Sequence, residues 1–360
     1  MSDAASIRGA MFPYWFLFTL CAAGAVQYRD RPNVREQGGP LLLFMIVLTT
    51  AMIGFRYEVG GDWFNYVHIF ENLRYEPVGD IITMSDPGYG LLNWAISQFG
   101  VDVWMVNLIC AAIFMWGLAK FVRQQPNPWL SLLVGIPYLI IVVAMGYTRQ
   151  AVAIGIILAG LSSPAGRRIT RFWIYVAFAA TFHRTAIIVL PLVAISQTRN
   201  RFLMAAIGVF AVGILYYLFV RSEIDELMTN YVGQQYESEG AGIRVVMNLV
   251  PAAAYLILQD RFGLEPDEIK LWRNFALAAF AALILLFVSP SSTVVDRLAL
   301  YLIPLQLIIF ARLPLVFGAN GSRNGQLTLA IIAYSALVQF VWLTGADNAE
   351  YWLPYKVYPL

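Results

Sequence analysis

The sequence predicts an all-α polytopic integral membrane protein. Three observations carry this: 59% of the 360 residues are hydrophobic against 13% charged, the mean hydropathy is +0.66, and long apolar runs alternate with short polar turns. Soluble domains carry about a quarter charged residues, so a water-soluble globular enzyme is excluded. Cys21 and Cys110 both lie inside apolar runs, which indicates neither a disulfide framework nor a thiolate metal site. Two histidines, His68 and His183, are too few for most metal centres. No metal and no cofactor are expected. No fixed-period repeat or low-complexity segment interrupts the chain, so residues 1–360 read as a single polytopic membrane domain.

Crossing about 30 Å of hydrocarbon takes roughly 20 apolar residues, fewer where a helix is short beside a cavity. The qualifying runs are 11–27, 40–55, 102–121, 129–147, 149–163, 171–181, 185–196, 202–220, 244–259, 273–289, 297–312 and 326–344. That makes about 11–12 transmembrane helices, because 171–181 and 185–196 form either a hairpin or one long helix. Gly38-Gly39-Pro40, Pro126-Asn127-Pro128, Ser162-Ser163-Pro164 and Ser289-Pro290 mark the turns between spans.

Charge sets the expected sidedness. With twelve spans, the connections 28–39, 122–128, 164–171, 196–201, 260–272 and 312–325, counted with adjoining helix ends, hold 15 Lys and Arg against 6 Asp and Glu; the other side holds 9 against 16. Basic loops stay in the cytoplasm, so that set is expected inside and both termini outside. The hairpin reading is preferred because a single helix would move Arg199 and Arg201 outside and the acidic 221–243 loop, with Glu223, Asp225, Glu226, Glu237 and Glu239, inside. Ala23-Gly24-Ala25 resembles a signal-peptidase site. Arg8 is the only basic residue ahead of it and Asp3 offsets that charge, so a retained anchor is expected.

The large extracytoplasmic loop 56–100 holds two segments too short to span. Trp63, Tyr66, Val67, Phe70 and Leu73 recur at helical spacing, with Asn65, His68, Glu71 and Asn72 off the stripe, which predicts an amphipathic helix in the headgroup layer. A second helix starts at Asp86-Pro87-Gly88, with Asp86 as cap and Pro87 in the first turn. It carries Tyr89, Leu92, Ala95, Ile96 and Phe99 on one side and suits a re-entrant or interfacial position. The tail 345–360 is also expected outside.

Ionisable residues near the outer ends of the spans supply the chemistry. They are Arg56, Glu58 and Asp62; Arg149 beside Gln150; His183 and Arg184; Asp296 and Arg297, with Tyr301 one turn later; and Tyr355 and Lys356 in the tail. Singly, each such arginine reads as an interfacial anchor. Together on one face, with Arg149 and Arg184 at helix N-termini where free N–H groups favour an anion, they suit a diphosphate at the membrane surface.

The pattern Arg56-Tyr57-x-Val59-Gly60-x-Asp62-x-x-x-Tyr66 resembles a signature of the EpsG family of exopolysaccharide polymerases. Asp86-Pro87-Gly88-Tyr89-x-Leu91-Leu92-Asn93 is similar to the E-P-G-Y-x-L-L-N element that follows it, with Asp86 in place of the commoner Glu. Arg149-Gln150-x-x-Ala153, Phe182-His183-Arg184-Thr185-Ala186, Asp296-Arg297 with Tyr301, and Trp352-Leu353-Pro354-Tyr355 resemble the later elements in family order.

This resemblance implies a Wzy-type, GT-C-like membrane glycosyltransferase at the outer face of the bacterial inner membrane. It would transfer a growing glycan from undecaprenyl diphosphate to a lipid-linked repeat unit without a metal. Flippase and chain-length regulator proteins would be its partners; nucleic acid would not. Such a reaction needs cations for the leaving diphosphate and a base within reach of the acceptor hydroxyl. Arg56, Arg149, Arg184 and Arg297 are the expected diphosphate ligands, Arg56 alternatively holding Asp62. Asp62 and His183 lead as the base, ahead of Glu58 and Asp86. Tyr57, Gln150, Tyr301, Tyr355 and Lys356 are expected to bind substrate. The alternatives are a flippase or transporter of lipid-linked oligosaccharide, a lipid-diphosphate-dependent glycan ligase, and a structural subunit of a secretion complex.

Overall fold

The computed structural model describes residues 2–28, 39–162, 168–198, 200, 202–203, 206–210, 213, 240–289, 291–319 and 322–359. The 202–220 run, most of the 221–243 loop with its acidic group, and several expected cytoplasmic loops lie wholly or partly outside these residues. The described chain is all-helical, with one isolated β-bridge between Arg56 and Val357. Six helices are long and apolar enough to cross a membrane: Gly9–Gln27, Val103–Val122, Ala241–Arg261, Pro266–Val288, Ser292–Val316 and Gly325–Gly345. Five shorter apolar helices accompany them. The protein is a multi-pass membrane protein.

The helices gather into two compact units. The first comprises residues 1–162, 174–184 and 310–360. It contains α1 (Ser2–Gln27), α2 (Gly39–Gly54), α3 (Trp63–Leu73), α4 (Val78–Ile82), α5 (Pro87–Gln98), α6 (Val103–Val122), α7 (Pro128–Gly135), α8 (Thr148–Leu161) and the latter part of α9 (Arg168–Phe182). α7 runs on as a π-helical turn over Ile136–Ala144, buried along its whole length. At its centre α6 packs on α8 through facing glycines: a Cβ at Gly117 would come within 1.8 Å of Gly155 O, and one at Gly155 within 2.6 Å of Phe114 Cα. Without water to drive association, small residues that let backbones approach closely are what hold membrane helices together. α2 also packs on α6, with Gly54 against Leu108.

α3 matches its expected face: Trp63, Tyr66, Phe70 and Leu73 are buried, while Asn65, His68, Glu71 and Asn72 are exposed. α5 does not. Its buried residues are Tyr89, Gly90, Asn93 and Ser97, and Phe99 is exposed. Tyr89 and the small or polar Gly90, Asn93 and Ser97 take the protein-facing side, while Leu92, Ala95 and Ile96 are only half-buried. The short α4 was not foreseen.

The second unit comprises residues 163–173 and 185–309. After α9 the chain breaks at His183, passes through a 3₁₀ segment over Arg184–Val189 and enters α10 (Leu190–Gln197). α11 (Ala241–Leu258) and α12 (Pro266–Val288) form the main pair of the unit, tied by the Tyr255 phenol donating to Ile269 O at 2.9 Å. α13 (Ser292–Ala299) is joined by a 3₁₀ turn at Leu300–Leu302 to α14 (Ile303–Val316), whose last turns belong to the first unit. α15 (Gly325–Gly345), in the first unit, packs on α1 and α7.

Candidate functional site

In the first unit three distant stretches meet at Asp86. As the residue before α5, Asp86 accepts Gly90 N through its backbone oxygen, but its side chain makes no cap hydrogen bond. The carboxylate turns away. Oδ2 accepts from Arg149 Nη1 at 2.8 Å and lies 3.8 Å from His183 Nδ1, and Oδ1 accepts from Arg184 N at 3.2 Å. The 3₁₀ segment that begins at Arg184 presents that amide, because the first N–H groups of a helix have no partner within it. Gly88 lets α5 approach: a Cβ there would sit 2.4 Å from Thr181 Oγ1. Burial pushes the Asp86 carboxyl up, but His183, the Arg149 guanidinium and the Arg184 amide outweigh it and hold the group below the usual carboxylate range.

Arg149, in the first turn of α8, is 34% exposed in its side chain, against 8% for Asp86 and 15% for His183. Its guanidinium also lies 6.0 Å from the Tyr89 ring centre. Tyr66 of α3 packs edge-on against Tyr89. The cluster therefore offers one accessible cation, an imidazole and a carboxylate that orients both.

Arg56 is placed differently. It is 1% exposed and donates to Ile53 O, Asn107 Oδ1 and Thr148 Oγ1, while its guanidinium lies 5.8 Å from the Trp63 ring centre. These bonds join the ends of α2, α6 and α8, so Arg56 fixes the turns that carry Arg149. Glu58, at φ +51, pairs with Lys356, and that hydrogen bond holds its carboxyl below the usual range. Asp62 is half-buried ahead of α3, without a side-chain cap bond. Gln150 is buried.

The tail is a strap. Tyr57 N donates to Lys356 O, Tyr358 N to Phe55 O and Gly60 N to Tyr351 O. Gly60 needs its φ of +106, and a Cβ there would meet Met145 O at 2.2 Å. Tyr355 donates its phenol to Met52 O at 2.8 Å.

In the second unit, Asp296 accepts from Arg244 Nε at 2.6 Å, and Arg297 is exposed. Tyr301 is buried, its hydroxyl 3.1 Å from Thr185 Oγ1. Nearby Gln306 donates to Asn248 Oδ1 at 2.8 Å, and Asn248 donates to Ala299 O. Arg244 was missed in the sequence, although a lone arginine inside an apolar run is itself a signal. Among the described residues, no three His, Cys, Asp or Glu side chains cluster as metal ligands.

A model of the EpsG family matches residues 40–357, from α2 through the tail strap. The chain belongs to the EpsG family. No curated protein and no solved structure matches it. EpsG membership points to exopolysaccharide polymerisation, the work of a glycosyltransferase-like membrane enzyme acting on lipid-linked oligosaccharide. The matched span contains both the Asp86 cluster and the Asp296–Arg244 pair.

Proposed function

We propose that the protein is a Wzy-type, GT-C-like polymerase of the bacterial inner membrane, working at its outer face. It transfers a growing glycan from undecaprenyl diphosphate to the non-reducing end of a lipid-linked repeat unit. The observation that supports this most directly is the Asp86 carboxylate holding Arg149 at 2.8 Å and facing His183 Nδ1 at 3.8 Å.

In the reaction the acceptor hydroxyl oxygen bonds to the anomeric carbon, the bond from that carbon to the diphosphate oxygen breaks, and the hydroxyl proton passes to a base. His183 is the base in this scheme. Asp86, already accepting from Arg149 and the Arg184 amide, faces the imidazole and stabilises it once protonated. Arg149, exposed on one side, takes the charge that grows on the leaving diphosphate. Arg56 serves as a positioning residue. Asp62 stands as the reserve base; Glu58 and Lys356 are committed to the strap.

Purified protein supplied with synthetic lipid-diphosphate repeat units in EDTA is expected to lengthen them, and Arg149→Ala and His183→Ala to stop lengthening. Translocation of the units without a new glycosidic bond would make the protein a flippase and overturn the assignment.

A further inference from the structure

Four aromatic rings interlock at the meeting point of α2, α6 and the tail, away from the Asp86 cluster. Phe55 stacks on Trp104 with centroids 5.6 Å apart, Trp104 lies 6.3 Å from Tyr358, and Tyr358 meets Tyr57 edge-on at 5.5 Å. All four are half-buried, so part of each ring remains open. Two polar ties set the group. The Tyr358 phenol donates to Asp102 Oδ2, while Asp102 Oδ1 caps α6 by accepting Val103 N at 2.7 Å. On the other edge Lys356 pairs with Glu58.

We infer that Phe55, Tyr57, Trp104 and Tyr358, rimmed by Asp102 and Lys356, form a docking platform for the saccharide part of the glycan, separate from its lipid diphosphate. This rests on the polymerase reading above. Pyranose rings offer apolar C–H faces and a rim of hydroxyls, which call for aromatic surface with a few convergent polar groups. Rings already packed against one another, with Tyr358 tied to Asp102, lose little freedom on binding. Aromatic residues at a membrane interface also serve as a belt, but belt residues favour lipid headgroups. Here the Asp102 carboxylate and the Glu58–Lys356 ion pair leave the rim net negative, which disfavours anionic headgroups, and they offer both acceptors and a donor to sugar hydroxyls. α3 connects the platform to the site: Trp63 packs edge-on against Tyr57, and Tyr66, one turn on, packs against Tyr89 beside Arg149.

The test uses the full-length protein in detergent and lipid-free oligosaccharides cut from the polysaccharide that cells carrying it secrete. Binding is read by tryptophan fluorescence and checked by equilibrium dialysis. Trp104→Ala is expected to weaken binding at least tenfold, and Trp104→Phe, which keeps an aromatic face, to restore most of it. Arg149→Ala, which stops lengthening under the polymerase reading, is expected to bind these fragments as the parent does. Equal binding by the parent and Trp104→Ala, or association of the platform with anionic phospholipid vesicles in place of sugar, overturns the proposal. Trp104-dependent sugar binding in a protein that does not lengthen lipid-linked units keeps the platform and removes the polymerase reading.

Discussion

Trp352 is seated directly on Gly146. Its indole nitrogen donates to Ile141 O in the π-helical turn at 2.8 Å, and a Cβ on Gly146 would fall 2.4 Å from the indole ring. The indole also receives Trp342 edge-on at 4.9 Å, and the backbone oxygen of Trp352 accepts from the Tyr14 phenol at 2.7 Å. One tail residue thus joins α1, the π-helical turn and α15, just ahead of the turn that carries Arg149.

Trp352→Ala is expected to cost about 3–5 kcal/mol, the usual range for emptying a buried tryptophan site. Gly146→Ala leaves the indole in place but forces it to shift, at about 1–3 kcal/mol. Thermal unfolding in detergent checks both. Similar midpoints for the parent and Trp352→Ala would show that the strap holds nothing.

The glycine crossing of α6 and α8 makes a sharper forecast. Gly117→Ala places a methyl within 1.8 Å of a backbone oxygen, and backbone cannot step aside as a side-chain end can. The helices must separate along the crossing, so Gly117→Leu is expected to remove folded protein from the membrane fraction and Gly117→Ala to reduce it. Quantified membrane expression is the readout.

For the Asp86 cluster, Asp86→Ala leaves Arg149 and the Arg184 amide without their acceptor. Losing one partner of a buried ion pair costs about 3–5 kcal/mol; with the Arg149 side chain a third exposed, about 1–3 kcal/mol is expected. Lengthening of lipid-linked units is expected to fall by a factor on the order of 100 or more, as for loss of a charge-stabilising or orienting group. Asp86→Glu, with the same charge on a longer stem, should retain more activity than Asp86→Asn.

The same carboxyl predicts an acid limit. Its folded-state pKa is depressed, so its contribution to stability is complete above the unfolded value of about 3.9 and is lost as pH falls through the lower folded value. The gap in unfolding midpoint between the parent and Asp86→Asn should narrow as pH falls below about 4. A gap that persists unchanged at pH 3 would contradict the pairing.

Most spans were legible because a bilayer demands long apolar runs, and Val103–Val122, Ala241–Leu258 and Gly325–Gly345 match the expected 102–121, 244–259 and 326–344 within a few residues. The split of α5 was not, since Tyr89, expected on the same side as Leu92, Ile96 and Phe99, is buried while Phe99 is exposed. Within the site, the separation of Asp86, Arg149 and His183 along the chain hid their meeting, although each stood at a helix end. Arg56 looked equivalent to Arg149 because type and position were the same. Only burial separates a strut from a partly exposed cation. Tyr355 looked like a sugar contact for the related reason that a strap and a binding site draw on the same residue types.

The strap has a consequence for how the protein is made. The turn over residues 55–60 is sealed by Tyr351, Lys356 and Tyr358, nearly three hundred residues later in the chain. During translation the early helices enter the membrane with that turn still open, and it closes only after the last helix has emerged from the ribosome. A nascent polypeptide stalled before that point would leave the turn near Arg149 unfinished, and such a fragment should be recognised and degraded by membrane proteases more readily than the finished product.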